Sequence, residues 1–244
     1  MINKQRLLLL SNSKMHGEEW LAWPAEEIKK FLGKNVKKVV FIPYAAVTFS
    51  YDEYAKMAKA KFNEWGYELI SVHNSPENEC SLIDESDAVI VGGGNTFALL
   101  FNLNKTNLTA KIAEAVQEGK PYIGWSAGSN VVCPTIKTTN DMPIIYPGNN
   151  LTALNLIPIQ INPHYIDPDP KSVHQGETRE QRLQEFIALN SDTWVVGLRE
   201  GSLLIVENGT IKLKGTKSAR IFKHKIEPVE VLPEADLNYI IKKN

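Results

Sequence analysis

A short apolar strand, Tyr122-Ile123, breaks at Gly124 into Gly124-Trp125-Ser126-Ala127-Gly128. A sharp strand-to-helix turn that lifts a serine hydroxyl above a sheet needs small residues around it, because neighbouring Cβ atoms would collide there. Such a turn also leaves the Ala127 amide at a helix N-terminus, where backbone donors face a developing oxyanion. The chemistry this spells is nucleophilic attack by Ser126. The same pentapeptide also suits an ordinary β-to-α turn with an inert serine. The reading therefore depends on finding a base for the serine and an acid to orient that base.

Of the five histidines, His224 lies among lysines, His73 precedes the turn Asn74-Ser75-Pro76, and His16 and His174 occupy polar loops. His164 differs. It follows the apolar run Ile157-Pro158-Ile159-Gln160-Ile161 and sits at a strand end, with Pro163 fixing the backbone before it. Two acids qualify as its partner. Asp141, in Thr138-Thr139-Asn140-Asp141-Met142-Pro143, gives the chain order Ser, Asp, His, although the same stretch is good Asx-turn chemistry. Glu200 follows the strand Thr193 to Leu198 and reaches the Ser126 edge if that strand runs parallel to the others. The residues alone leave Asp141 and Glu200 both open.

Gly92-Gly93-Gly94-Asn95-Thr96-Phe97 closes another apolar strand. A phosphate cradle would need Gly-Lys-Ser/Thr or a completed Gly-x-Gly-x-x-Gly, and neither is present. The glycines instead suit an oxyanion hole, with the Gly94 N–H paired to that of Ala127.

The elements that must position these residues alternate along the first two-thirds of the chain. Strands are expected at Leu7 to Leu10, Val39 to Ile42, Tyr67 to Val72 and Ala88 to Val91. Helices are expected at Glu18 to Leu32, Tyr51 to Trp65, Thr96 to Asn102 and Thr109 to Glu118, and after the serine a helix reaching Cys133 about two turns on. Strands without alternation, separated by helices, give a doubly wound, mostly parallel α/β sheet covered on both faces. Sites in such sheets form at the carboxyl ends of strands. A proline-punctuated segment follows Cys133, then a helix at Thr178 to Leu189. The last part is β-rich, with Glu207-Asn208-Gly209-Thr210 as a hairpin turn. The absence of a linker or repeat gives one domain over residues 1–244.

Composition fits this picture. The chain has 244 residues, 43% hydrophobic and 23% charged, with a net charge of −1. That balance excludes a basic nucleic-acid surface, and no apolar run approaches the roughly 20 residues that span a bilayer. Four leucines followed by Ser11-Asn12-Ser13-Lys14 are too short for a signal peptide. Two cysteines, Cys80 and Cys133, form neither a disulfide framework nor a metal site, which suits a cytoplasmic protein with no metal or cofactor.

Several blocks taken in order resemble the peptidase E family of α-aspartyl dipeptidases. They are Gly92 to Phe97, Tyr122 to Asn130, Cys133 to Ile144, Gln160 to His164 and Gly176 to Arg182. The likeness extends from the first strand to at least Gly209. It implies a serine peptidase related in fold to class I glutamine amidotransferases, cleaving Asp-X dipeptides through an acyl-enzyme. It puts the nucleophile on Ser126, the base on His164, the triad acid on Asp141 or alternatively Glu200, and the substrate-gripping arginine on Arg179. Departures are Ser129, where many members have alanine, and the loops Ile145 to Leu151 and Asp167 to Gln175. A cyanophycinase-like β-aspartyl hydrolase is one alternative, for which Asp167, Asp169 and Glu177 would supply an acidic pocket. A non-catalytic aspartyl-peptide-binding module is another. The expected partner is a small peptide, with the oligomeric state open.

Overall fold

Leu7 to Leu10 are all fully buried, yet their side chains point alternately to two different cores. In the computed structural model, which describes residues 4–173 and 175–241, these leucines form the first strand of a central sheet. In chain order the elements are β1 (Leu7–Leu10), α1 (Ala25–Leu32), β2 (Lys38–Ile42), α2 (Tyr51–Glu64), β3 (Glu68–Ser71), α3 (Glu79–Glu85), β4 (Ala88–Val91), α4 (Thr96–Lys105), α5 (Leu108–Gln117), β5 (Tyr122–Trp125) and α6 (Ala127–Asn130). Then come β6 (Gln160–Pro163), α7 (Arg179–Leu189), β7 (Val195–Leu198), β8 (Ser202–Glu207), β9 (Thr210–Gly215), β10 (Ala219–Lys223) and β11 (Ile226–Val231). His174 lies outside the described residues.

The central sheet has the order β3-β2-β4-β5-β1-β8-β9, parallel from β3 to β1 and antiparallel beyond. Leu7, Leu9, Val40, Ile42, Val89 and Val91 face a core closed by α3, α4 and α5. Leu8, Leu10, Val39, Phe41 and Ile90 face the opposite core, closed by α1 and α2. Each leucine withdrawn from water contributes about 1.5–3 kcal/mol, so burial on both faces explains why these strands show no alternation. The doubly wound α/β fold read from the sequence is the fold observed.

A second sheet, β11-β10-β7-β6, pairs β6 parallel to β7 and packs α7 through Leu183 and Ile187 against Val195 and Phe222. Asn208 and Gly209 join β8 to β9 with φ of 52° and 73°, the double positive φ of a type I′ hairpin.

Three expectations change. The helix expected from Glu18 begins only at Ala25, because Leu21 adopts a left-handed φ of 57° and Pro24 stands at the N-cap. α3 was not anticipated, its seven residues being too few for a clear period. The helix after Ser126 is a single turn, so Cys133 lies beyond it. Among the described residues no helix is long and apolar enough to cross a membrane.

Candidate active site

Because β1, β4 and β5 run parallel, Leu10, Val91 and Trp125 end at one edge of the central sheet, followed by Ser11, Gly92 and Ser126. Ser126 holds φ 53° and ψ −113°, a strained backbone costing on the order of 1–3 kcal/mol that the surroundings must enforce. They do so through close packing. A Cβ on Gly124 would enter the Gly128 carbonyl, and one on Gly128 would enter the carbonyl oxygen of Val91. The Ser126 N–H donates to Leu10 O at 3.1 Å, and the buried Ser129 hydroxyl lies 2.7 Å from Leu10 O and 2.8 Å from Gly124 O. Gly128→Ala is accordingly expected to lower the unfolding free energy by about 1–3 kcal/mol. Chemical denaturation reads this directly, and an unchanged midpoint would mean the β4 end yields freely.

His164 follows β6 with φ 52°, a second left-handed residue. Its N–H donates to Ser11 Oγ at 2.9 Å, and Ser11 Oγ donates to Leu198 O at 2.6 Å. Ser11 thus ties the end of β1 to the ends of β6 and β7, bringing the second sheet to the elbow. The imidazole then lies between two partners: Nε2 is 2.8 Å from Ser126 Oγ, and Nδ1 is 2.7 Å from Glu200 Oε1. An ionised carboxylate only accepts, so Nδ1 carries the hydrogen and Nε2 is free to accept from the serine hydroxyl. Glu200 arrives because Pro163 and Leu198 are register partners on parallel strands, placing residues 164 and 200 just past one edge. Parallelism to β6 in the second sheet, rather than to the central sheet, is what brings it there.

Asp141 lines the same cavity but does not touch the imidazole. Its Oδ2 accepts from Thr96 N at 2.7 Å, Thr96 Oγ1 at 2.5 Å and Thr139 Oγ1 at 3.0 Å, at the start of α4. The loop is held there because Asn140 Nδ2 donates to Pro163 O (2.6 Å) and Asn95 Nδ2 to Met142 O (3.0 Å). Of the two acids read from the sequence, the structure brings Glu200 to His164 and sends Asp141 to the glycine turn.

Gly94 has φ 141°, and a Cβ there would enter the Ala45 carbonyl. Among the described residues no acceptor takes the N–H of Gly94 or of Ala127, so both donors remain available. α6 is only one turn long, so these individual N–H groups matter more than a summed helix dipole. The Gly93 N–H is not available, since it donates to the Tyr54 hydroxyl at 3.0 Å. That hydroxyl donates to Gly93 O (3.2 Å) and accepts from Trp125 Nε1 (2.8 Å), pinning the glycine turn to the residue before the serine. Burial raises the pKa of the Tyr54 phenol, keeping it neutral. Tyr54 and Ser11 were missed in the sequence. The signal for Ser11 was a polar residue directly after four buried leucines.

The cavity in front of Ser126 measures about 430 Å³, with His164, Gly94 and Asp141 on one side and Trp20 and Phe49 among its apolar walls. A larger cavity of about 670 Å³ lies at the opposite ends of the strands, around Lys120 and Asp87, remote from this chemistry. Arg179 opens α7 behind the N-cap Thr178. Burial and the neighbouring Arg182 lower its pKa, opposed by Asp141. Arg182 pairs with Glu177 at 3.5 Å and Glu180 with Arg220 at 2.9 Å, whereas Arg179 has no ion pair or hydrogen bond among the described residues. Cys133 is fully buried, its Sγ accepts from Ile161 N, and burial pushes its thiol up to about 12.

Residues 7–214 match the description of peptidase family S51. The chain belongs to that family. Among S51 relatives, a peptidase E of Nostoc sp. is 50% identical over 98% of each chain. A Drosophila melanogaster protein named a probable alpha-aspartyl dipeptidase is 42% identical over the full length of both. The crystal structure of a peptidase from an acI-B1 Actinobacterium superposes with a TM-score of 0.71 over 96% of both chains at 18% identity, which speaks for the fold. The protein is a peptidase.

Proposed function

We propose that the protein hydrolyses dipeptides with an N-terminal aspartate through a Ser126 acyl-enzyme. The observation that carries this is the continuous relay from Ser126 Oγ to His164 Nε2 and from Nδ1 to Glu200, at 2.8 and 2.7 Å. Ser126 Oγ attacks the aspartyl carbonyl as His164 takes its proton, and Glu200 holds the resulting imidazolium. The Gly94 and Ala127 amides receive the oxyanion, a contribution of about 3 kcal/mol per donor. His164 passes its proton to the leaving amine, then activates the water that releases aspartate. Arg179, without an ion pair or hydrogen bond among the described residues, grips the substrate β-carboxylate. One domain, a small peptide as substrate and a cytoplasmic setting complete the proposal, the last suited by two unpaired thiols.

The cyanophycinase-like alternative needs free acids. Asp167 is taken by Arg199 at 2.6 Å and Glu177 by Arg182 at 3.5 Å, which leaves Asp169 as the one acid of the three without an ion pair among the described residues and weighs against an arginine pocket there. An amidotransferase would need a thiolate, and Cys133 is buried and protonated.

The test is turnover of Asp-Leu beside β-Asp-Leu, β-Asp-Arg, Glu-Leu and Asn-Leu. Asp-Leu alone should be cleaved efficiently, and Arg179→Ala should lower its kcat/KM by about 10- to 100-fold, the range for a charge-assisted contact. The variant should also lose its preference for Asp-Leu over Asn-Leu. Cleavage of β-Asp-Arg in preference would move the assignment to the alternative, and no turnover of any would favour a binding module.

A further inference from the structure

Among the described residues Asp141 is the acid that lines the cavity, the relay does not use it, and it is held with unusual care. All three hydrogen bonds to its carboxylate go to Oδ2, so among the described residues Oδ1 has no partner. The side chain lines the cavity that Ser126 and His164 open into. Its position is keyed to the glycine turn from two sides: Thr96 N binds the carboxylate, and Asn95 Nδ2 binds the following carbonyl, Met142 O. Gly94, the proposed oxyanion donor, immediately precedes Asn95. An acid fixed to that turn is therefore fixed relative to the carbonyl carbon under attack.

The first residue of an Asp-X dipeptide carries a cation and an anion on adjacent carbons. Its α-ammonium sits on the carbon bonded directly to the scissile carbonyl, and its β-carboxylate one carbon further out. The cavity wall supplies the Oδ1 edge of Asp141, and beyond that lining the half-buried guanidinium of Arg179, with no ion pair or hydrogen bond among the described residues, is near enough to Asp141 to interact electrostatically. Resting on the Asp-X reading above, we propose that Asp141 is the receptor for the substrate's α-ammonium, and that with Arg179 it makes the site specific for a free N-terminal aspartate. Asp141 then limits the enzyme to chain ends: an aspartate inside a chain presents a neutral amide there and leaves Oδ1 without a cation.

Succinyl-leucine is Asp-Leu without the ammonium and isolates this contact. The wild-type protein should prefer Asp-Leu over succinyl-leucine by about 10- to 100-fold in kcat/KM, the range for one hydrogen bond to a charged group. Asp141→Asn keeps an oxygen for the Thr96 and Thr139 donors. It should slow Asp-Leu by a similar factor and leave succinyl-leucine within about threefold, so the preference collapses. Asp141→Glu, which keeps the charge, should retain part of the preference. An equal loss on both substrates in Asp141→Asn, or an undiminished preference, would overturn the proposal. Binding of the two ligands to Ser126→Ala, with and without Asp141→Asn, reads the same preference by calorimetry without turnover. A protein that binds Asp-Leu in an Asp141-dependent way but never cleaves it would sink the peptidase mechanism and leave this assignment standing.

Discussion

Ser126→Ala is expected to lower kcat for Asp-Leu by at least about 10,000-fold while leaving the fold intact. Removing the nucleophile of a serine–histidine–carboxylate relay costs on the order of a million-fold, and the residue of activity comes from the oxyanion donors and from binding. Here both of those survive, because the Gly94 and Ala127 amides belong to the backbone and Asp141 and Arg179 are untouched. The structural cost is small. Among the described residues the Ser126 side chain makes a single hydrogen bond, to His164, and the strained turn is enforced by Gly124 and Gly128 rather than by the hydroxyl. Melting temperature and KM should therefore stay close to wild type as kcat collapses. Steady-state kinetics beside a thermal melt separates the cases: activity within tenfold of wild type would remove Ser126 from the mechanism. Lost activity with a melting temperature many degrees lower would mean the substitution damaged the elbow.

The elbow was legible in the sequence because its constraint is local. Glycines at 124 and 128 are required by carbonyl oxygens that a Cβ would strike, and those carbonyls belong to the same turn and the adjoining strand end. His164 was legible for a similar reason, as the residue after a buried strand. Which acid stands beside His164 was not. Chain order placed Asp141 between serine and histidine, but order does not say which sheet a strand joins. Glu200 reaches the imidazole through the parallel pairing of β6 with β7, a long-range register that leaves no local mark. Asp141 is withdrawn by the Thr96 and Thr139 donors, which in sequence look like ordinary polar loop residues. The turn before α1 went unread for a converse reason. Its apolar residues have a helical look, and only the left-handed Leu21 and Pro24 break it.

Glu200→Gln carries the second large effect, a loss of about 100- to 1,000-fold in kcat. Replacing the buried acid of a related triad by its amide costs about 10,000-fold, because the amide stabilises the wrong imidazole tautomer and no longer balances the imidazolium. Glu200 is about half exposed, so water takes over part of its role and the loss is smaller. The exchange also shows why Glu200, beside His164, and Asp141, in the cavity wall, need not be confused. In the proposed mechanism Glu200 acts on the proton relay, which every substrate uses, so Glu200→Gln should slow Asp-Leu and succinyl-leucine by the same factor. Asp141 acts on one charged group of one substrate, so its substitution should separate them. Equal kinetics for wild type and Glu200→Gln would remove Glu200 from the relay, whereas a substrate-dependent loss would reassign it to binding. What distinguishes a relay acid from a recognition acid is thus not its distance from the serine but whether its effect depends on what the substrate carries.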